Sequence, residues 1–170
     1  MLLDVAKALH APGEEFPFAY SGEAPPAVWD GAEVRFVTPV RVSGTYMAVK
    51  EDVWVRANVS ARVQLACAGC LADAYHDGNA SMDARYSRQP DPEDPDLFAF
   101  EGHTLRLDDA VLGALWLEMP MRVLCAPDCK GLCPQCGANR NLSMCTCQKE
   151  LPAKHPFSAL ATLLNQDVEV

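Results

Sequence analysis

The strongest constraint on the fold is residues 53–66, VWVRANVSARVQLA, in which apolar residues recur at every second position. This is the period of a β-strand, because successive side chains in a strand point to opposite faces of the sheet. The apolar face consists of Val53, Val55, Ala57, Val59, Ala61, Val63 and Leu65, and the polar face of Arg56, Asn58, Ser60, Arg62 and Gln64. The run therefore predicts a long strand with one face in the core and the other in water.

The same period continues on both sides of this run. Residues 34–42 and 45–50 predict two shorter strands separated by Gly44, and residues 80–86 alternate again after the long strand. Together these segments predict an antiparallel meander of about four strands. The fold class we predict is α+β: a small antiparallel β-sheet or partial barrel, with flanking helices and a cysteine-rich zinc-knuckle segment.

Three segments have helical spacing. Residues 1–10 predict a short amphipathic helix, and the Pro- and Gly-rich stretch from residue 11 to 33 predicts a loop. Residues 107–119 carry an apolar stripe with acidic residues at the start, so they predict a helix that faces the core. Residues 156–164, which begin with a proline, predict a terminal helix.

Residues 88–102 contain three prolines and five acidic residues against one Arg. This composition predicts an extended, solvated, acidic linker. We therefore expect an N-terminal helix and antiparallel β-domain in residues 1–87, and this linker in residues 88–102. Residues 103–170 are expected to contain the core-facing helix, the zinc-binding cysteine-rich segment and the C-terminal helix.

The charge and the N-terminal residues limit the class of function. A net charge of −9 argues against a nucleic-acid binder of the ordinary electrostatic kind, so any RNA contact is expected to be local. Asp4 and Lys7 interrupt the N-terminal apolar run before a signal-peptide core or a membrane span could form. We therefore expect a cytoplasmic protein with no membrane association. In that compartment, clustered cysteines are more often metal ligands or redox groups than disulfides.

Six of the eight cysteines lie in residues 125–147, and the clearest motif among them is Cys133-Pro134-Gln135-Cys136-Gly137. It has the form of a zinc knuckle, in which a tight turn directs two sulfurs at one point and glycine lets backbone amides approach them. Cys145 and Cys147 have one residue between them, where zinc ribbons have about two to four. We predict one structural zinc ion held by Cys133, Cys136, Cys145 and Cys147.

The other four cysteines also fall into pairs, Cys67 with Cys70 and Cys125 with Cys129. The pairs would meet if the predicted core-facing helix packs on the sheet, and they would then form a second structural zinc site. Two alternatives stay open at this point. The four thiols could be reduced and buried like small hydrophobic side chains, or the six C-terminal cysteines could divide their ligands differently.

The alternative hypothesis for function is a thiol-disulfide oxidoreductase or a zinc-transfer protein that uses Cys67 and Cys70. Their spacing is that of a dithiol motif, but such motifs act at a helix N-terminus in a βαβ unit, whereas this pair follows an antiparallel strand. The histidines pair with no cysteine motif, and a closed four-cysteine site has no position for a catalytic water. We therefore predict that the protein is not an enzyme.

These motifs resemble the bacterial and plastid family of YceD-like proteins, known as large ribosomal RNA subunit accumulation proteins and formerly a domain of unknown function. The resemblance spans about residues 30–165. It is carried by Cys67-x-x-Cys70-Leu71 after a strand, a helix ending in LEMPMRVLC, the segment DCKGLCPQCGANRN, the sequence CTC and a final short helix. It implies a role in the accumulation of large-subunit ribosomal RNA, and hence in ribosome assembly.

The charge of the cysteine-rich segment indicates the kind of partner. Residues 121–149 contain four basic residues and one acidic residue, and a zinc ion with four thiolates adds about −2, so the segment is nearly neutral. We predict that it docks on a ribosome-assembly factor or a ribosomal protein, with RNA contact secondary. The residues named for docking are Lys130, Asn139, Arg140 and Asn141. Alternatively, the two bases are solvated surface and the two asparagines are turn residues.

Overall fold

A computed structural model describes residues 1–91, 93–94 and 97–147 of the chain. The elements are β1 (Leu2–Asp4), α1 (Ala6–His10), β2 (Glu15–Gly22), β3 (Ala27–Trp29), β4 (Ala32–Phe36), β5 (Val40–Val49), β6 (Asp52–Ala66), β7 (Asp73–Ser87), β8 (Leu97–Ala99), β9 (Thr104–Arg106) and α2 (Asp108–Glu118). The predicted terminal helix at 156–164 lies outside the described residues.

Seven of the strands form one sheet, and β6 lies at its centre. One edge of β6 pairs with β7, while the other edge pairs with β5 and, further along, with β4. The sheet is extended by β2 beside β5, β3 beside β4 and β8 beside β7, and every pair is antiparallel except β7 with β8. The described sheet is open, because β2 and β8 do not pair with each other. The predicted antiparallel sheet is confirmed, with seven described strands where about four were expected.

The alternation predicted for residues 53–66 is confirmed in β6, whose odd-numbered residues are all buried. In β7 the even-numbered residues mostly face the same side. This apolar face packs against α2, and α1 packs against β5 and β2. Each Val or Leu buried there contributes about 1.5–3 kcal/mol of transfer free energy. Neither α1 nor α2, the helices of the described part of the chain, has the length and hydropathy of a membrane-spanning segment.

The predicted core-facing helix is confirmed as α2, which buries Ala110, Val111, Ala114 and Leu115. Gly78 of β7 allows the helix to approach closely, since a Cβ there would lie 3.3 Å from Cδ2 of Leu115. At the end of the helix, the ring of Trp116 packs on that of Phe36 with centroids 6.4 Å apart. This contact continues the core toward the turn between β6 and β7.

For the first 33 residues, one prediction is confirmed only in part and one is wrong. The helix expected over residues 1–10 forms only in α1, because β1 pairs with β9, a strand far away in the sequence. The loop expected over residues 11–33 contains β2 and β3. Pro17 argued against a strand in β2, but β2 lies at an edge of the described sheet, where proline is tolerated.

The prediction that Gly44 separates two strands is also wrong, since β5 runs through it without a break. A Cβ at this position would overlap the backbone oxygen of Arg56 and lie 2.5 Å from Cα of Ala57. The glycine therefore allows β5 and β6 to approach closely, as Gly78 allows α2 to approach β7.

The segment 88–102, expected as an acidic linker, is partly structured in its described residues. β8 pairs with β7, Phe100 is buried, and Nη2 of Arg85 donates a hydrogen bond to a carboxylate oxygen of Asp94 at 2.6 Å. The sheet and α2 also share one core. The division of the chain into residues 1–87, 88–102 and 103–170 stays a prediction.

Candidate metal centres

The first cluster of thiols, which we call the hairpin tetrad, consists of Cys67, Cys70, Cys125 and Cys129. Cys67 and Cys70 lie in the turn between β6 and β7, and the other two lie in the segment after α2. The four Sγ atoms all lie within 4.8 Å of one another. The Sγ atoms of Cys67 and Cys129 are 3.7 Å apart, and those of Cys70 and Cys125 are 3.5 Å apart.

The turn between β6 and β7 positions its two thiols through backbone hydrogen bonds. The N–H of Cys67 donates to the carbonyl of Ala72 at 2.8 Å, and the N–H of Leu71 donates to the carbonyl of Cys67 at 3.0 Å. Leu71 has a φ of +62°, in the left-handed region that a tight turn requires. The N–H of Ala68 donates to the carbonyl of Val123 at 2.9 Å, which attaches the segment after α2 to this turn.

Backbone amides also point at a sulfur of the hairpin tetrad. The N–H groups of Cys125 and Gly69 donate to Sγ of Cys67 at 3.3 and 3.4 Å. Burial raises the pKa of the Cys67 thiol, but the amide donors outweigh burial and lower this pKa to about 6. The hydrogen bond with Cys70 is the main cause that raises the pKa of Cys125 to about 12. The cluster thus contains one sulfur that favours the thiolate and one that keeps its proton.

The second cluster, which we call the loop tetrad, consists of Cys133, Cys136, Cys145 and Cys147, whose Sγ atoms also lie within 4.8 Å of one another. All four belong to one segment that has no described helix or strand. The N–H of Gly137 donates to the carbonyl of Cys133 at 2.9 Å, and Gly137 has a φ of +71°. This is the knuckle turn expected from the sequence, with the glycine at the position that needs a left-handed backbone.

The pKa values of the thiols in the loop tetrad differ from one another in the same way as those in the hairpin tetrad. The backbone amides of Cys136 and Gln135 lower the pKa of Cys133 to about 6. A hydrogen bond with the side chain of Cys136 is the main cause that raises the pKa of Cys147 to about 12. In both clusters, the main donors to the low-pKa sulfur are backbone N–H groups, which come from the knuckle turn at Cys133 and from both the β6–β7 turn and the segment after α2 at Cys67.

Two glycines bring the turn between β6 and β7 close to the segment between the tetrads. A Cβ at Gly69 would lie 3.2 Å from Sγ of Cys129. Gly131 has a φ of +68°, and a Cβ there would lie 3.0 Å from the carbonyl oxygen of Gly69. That oxygen accepts a hydrogen bond from the N–H of Leu132 at 3.0 Å. The role of Gly131 was not predicted, although its position between Cys129 and Cys133 is visible in the sequence.

The four residues predicted to contact a partner lie between Cys129 and Cys145 in the sequence, and backbone N–H groups of this segment donate the hydrogen bonds that link it. The N–H of Lys130 donates to Oδ1 of Asn141 at 2.8 Å, and the N–H of Asn141 donates to Oδ1 of Asn139 at 2.9 Å. The N–H of Arg140 donates to the carbonyl of Gly131 at 3.0 Å, and its side chain is exposed. The asparagines thus have the turn role that the sequence left open, while docking by the four residues stays a prediction.

The donor set fits zinc. Zn–S bonds of about 2.3 Å in a regular tetrahedron place the sulfurs about 3.8 Å apart. The measured Sγ separations of 3.7 and 3.5 Å in the hairpin tetrad are close to this value, and far from the bond length of about 2.05 Å in a disulfide. As far as the described residues show, both clusters consist of sulfur ligands alone. Each could hold one divalent ion in a closed shell.

The family model described as large ribosomal RNA subunit accumulation protein YceD matches residues 55–164. The chain belongs to the YceD family. The resemblance seen in the sequence is thereby confirmed, and the matched YceD region contains all eight cysteines of the two tetrads.

The similar curated proteins are described as uncharacterized. One from Mycobacterium tuberculosis is 27% identical over 146 residues, which cover 81% of this chain and 69% of the relative. One from Mycobacterium leprae is 24% identical over 112 residues, which cover 62% of this chain and 51% of the relative. The protein YlbN of Bacillus subtilis is 26% identical over 161 residues, which cover 93% of each chain. No solved structure matches this chain.

Proposed function

We propose that this protein supports the accumulation of large-subunit ribosomal RNA as a non-enzymatic, cytoplasmic factor in ribosome assembly. Two zinc ions would shape its cysteine-rich segment into a surface for a ribosome-assembly factor or a ribosomal protein, with RNA contact secondary. The observation that supports the proposal is the presence of two four-sulfur clusters in a chain of the YceD family.

The segment from Met119 to Cys147 needs something to hold its shape. Among its described residues there is no helix or strand, and one isolated bridge joins Leu132 to Asn139. A segment of this kind loses much conformational entropy when it adopts one shape. Metal binding by four thiolates would offset that loss, because the binding free energy of a structural zinc ion acts as folding free energy.

The ligand sets of the two tetrads do not suit a catalytic zinc ion. Zinc that activates a water keeps one coordination position open and has a base nearby. Each tetrad offers four sulfur ligands, which as metal-bound thiolates would complete a tetrahedral shell and leave no position for a substrate. The two sites therefore favour a structural role for the metal over hydrolytic chemistry.

The surface of the cysteine-rich segment favours a protein partner. In the loop tetrad segment, the side chains of Leu142 and Met144 are 86% and 98% exposed, and apolar side chains on an ordered loop are typical of protein contacts. Residues 119–147 contain three bases and one acid, and together with the uncharged turn that carries Cys67 and Cys70 they would hold two zinc sites of about −2 each, so this combined region would have a net negative charge. This charge favours a protein partner over the phosphate backbone of RNA.

The proposal can be tested in cells that lack the endogenous protein. The double variant Cys145→Ser/Cys147→Ser removes the loop tetrad, and Thr146→Ser, between the same two cysteines, is its matched control. We expect the double variant to lose co-sedimentation with large-subunit precursors and to leave the level of large-subunit ribosomal RNA low, while the control restores both. Full restoration by a double variant that binds one metal ion fewer would overturn the proposed role of this tetrad.

A second candidate function is thiol redox chemistry or zinc transfer by Cys67 and Cys70. The lowered pKa of Cys67, about 6, is the observation that favours it. However, the side chain of Cys67 is 0% exposed, and a buried thiolate cannot be attacked by a substrate without local opening. Rapid alkylation of Cys67 in the metal-loaded protein would support this candidate, while alkylation only after chelation would support the structural role.

A further inference from the structure

One side chain connects the two tetrads. Asn141 lies in the loop between Cys136 and Cys145, but its amide group points toward the hairpin tetrad. Its Nδ2 donates a hydrogen bond to Sγ of Cys129 at 3.5 Å. Its Oδ1 accepts from the N–H of Lys130 at 2.8 Å. Since a backbone N–H can only donate, this second bond fixes the oxygen on that side and the NH₂ group beside the sulfur.

The loop of the second tetrad holds Asn141 in this position. Oδ1 of Asn139 accepts hydrogen bonds from both the backbone N–H and Nδ2 of Asn141, each at 2.9 Å. The N–H groups of Leu142 and Ser143 donate to the carbonyl of Asn139 at 3.1 Å, which closes the turn. Asn141 is exposed to solvent, so water competes for these bonds whenever the loop is not held in place.

We propose that Asn141 is a positioning residue that makes metal retention at the hairpin tetrad depend on metal at the loop tetrad. The inference rests on the two metal sites of the proposed function. A metal ion at the loop tetrad fixes the chain between Cys136 and Cys145, and with it the N–H that stabilises the thiolate of Cys129. Loss of a group that orients or hydrogen-bonds a metal ligand typically weakens metal binding by about 10- to 100-fold. By linkage, the hairpin tetrad stabilises the loop tetrad by the same factor.

The test measures the rate at which zinc leaves the hairpin tetrad in the presence of a chelator. Asn141→Asp keeps the acceptor for Lys130 but has no donor for the sulfur, and Asn141→Leu removes the amide without adding a charge. Asn79→Asp, an exposed position on the outer face of β7, is the control for the added charge. Each variant is made in the full chain and in the Cys145→Ser/Cys147→Ser background, where only the hairpin tetrad binds metal.

We expect both substitutions at Asn141 to speed release from the hairpin tetrad about tenfold in the full chain, and to have little effect in the double-serine background. With Co²⁺ in place of zinc, they should move the sulfur-to-metal charge-transfer bands to lower energy, because the thiolate loses a donor. Unchanged rates and spectra, or equal effects in both backgrounds, would overturn the role of Asn141 while leaving the metal sites intact. Failure of the unaltered protein to bind two metal ions would overturn the metal sites themselves, and this inference with them.

Discussion

Replacing Gly131 with alanine should weaken metal binding at the hairpin tetrad, although the residue contributes no ligand. Its φ of +68° is in the left-handed region, where an alanine costs about 1–2 kcal/mol. The new Cβ would also lie 3.0 Å from the carbonyl oxygen of Gly69, so the turn that carries Cys67 and Cys70 would have to shift by a few tenths of an ångström. We estimate a total cost of about 2–3 kcal/mol, since crowding adds to the backbone strain.

Gly137 provides a matched control for this substitution. Its φ is +71°, nearly the same as that of Gly131, but a Cβ there would have nothing within 4 Å. Gly137→Ala should therefore weaken metal binding only through backbone strain, by about 1–2 kcal/mol, and only at the loop tetrad. The comparison shows whether an alanine with φ near +70° weakens the hairpin tetrad in particular, rather than this segment in general.

The assay is zinc competition with a chelator in the Cys145→Ser/Cys147→Ser background, in which only the hairpin tetrad binds. A cost of 2–3 kcal/mol corresponds to about 30- to 150-fold weaker binding for Gly131→Ala. Gly137→Ala should leave the affinity in this background unchanged. Equal zinc affinities for the two variants would refute the argument that the close contact between Gly131 and Gly69 matters for metal binding at the hairpin tetrad.

Further predictions concern proton release and the sheet. Zinc affinity should fall as the pH falls, because binding displaces thiol protons. The fall in affinity should steepen below about pH 6, where Cys67 and Cys133 become protonated in the metal-free protein. Chelator competition at pH values above and below 6 tests this, and an affinity that does not change with pH would contradict it. Gly113→Ala, at an open position in α2, should raise the free energy of unfolding by about 0.5–1 kcal/mol, as denaturant titration would show. Gly44→Ala should lower the free energy of unfolding by at least about 3 kcal/mol, because the new Cβ would overlap the backbone of β6. Near-native stability of this variant would contradict the close approach of β5 to β6. Tyr86→Phe should lower the free energy of unfolding by about 1 kcal/mol in the same titration, because the Tyr86 hydroxyl donates a hydrogen bond to a backbone carbonyl at 3.1 Å. An unchanged free energy would show that this hydrogen bond contributes nothing to stability.

The central strand and the core-facing helix could be predicted because their signals are local. Alternation in residues 53–66 and the apolar stripe around Val111 appear within one element. β1 and β2 could not be predicted in the same way. β1 exists because Leu3 pairs with Leu105 across the chain, and β2 contains Pro17, which local propensity counts against a strand.

The sequence predicted the loop tetrad and offered the hairpin tetrad as one of several groupings of the other four cysteines, and the sulfurs of each set lie together. It did not indicate what surrounds the sulfurs. The donation from Asn141 to Cys129 joins two loops whose relative position depends on tertiary structure. The contact between Gly131 and Gly69 likewise joins segments that are far apart in the sequence and meet only in the folded protein.

The most direct measurement is the metal content of protein purified without chelators, determined by elemental analysis together with native mass spectrometry. We predict two zinc ions for each chain, with all eight cysteines protected from alkylation until the metal is removed. Protein that contains no transition metal, yet keeps residues 119–147 ordered, would contradict the claim that zinc shapes this segment.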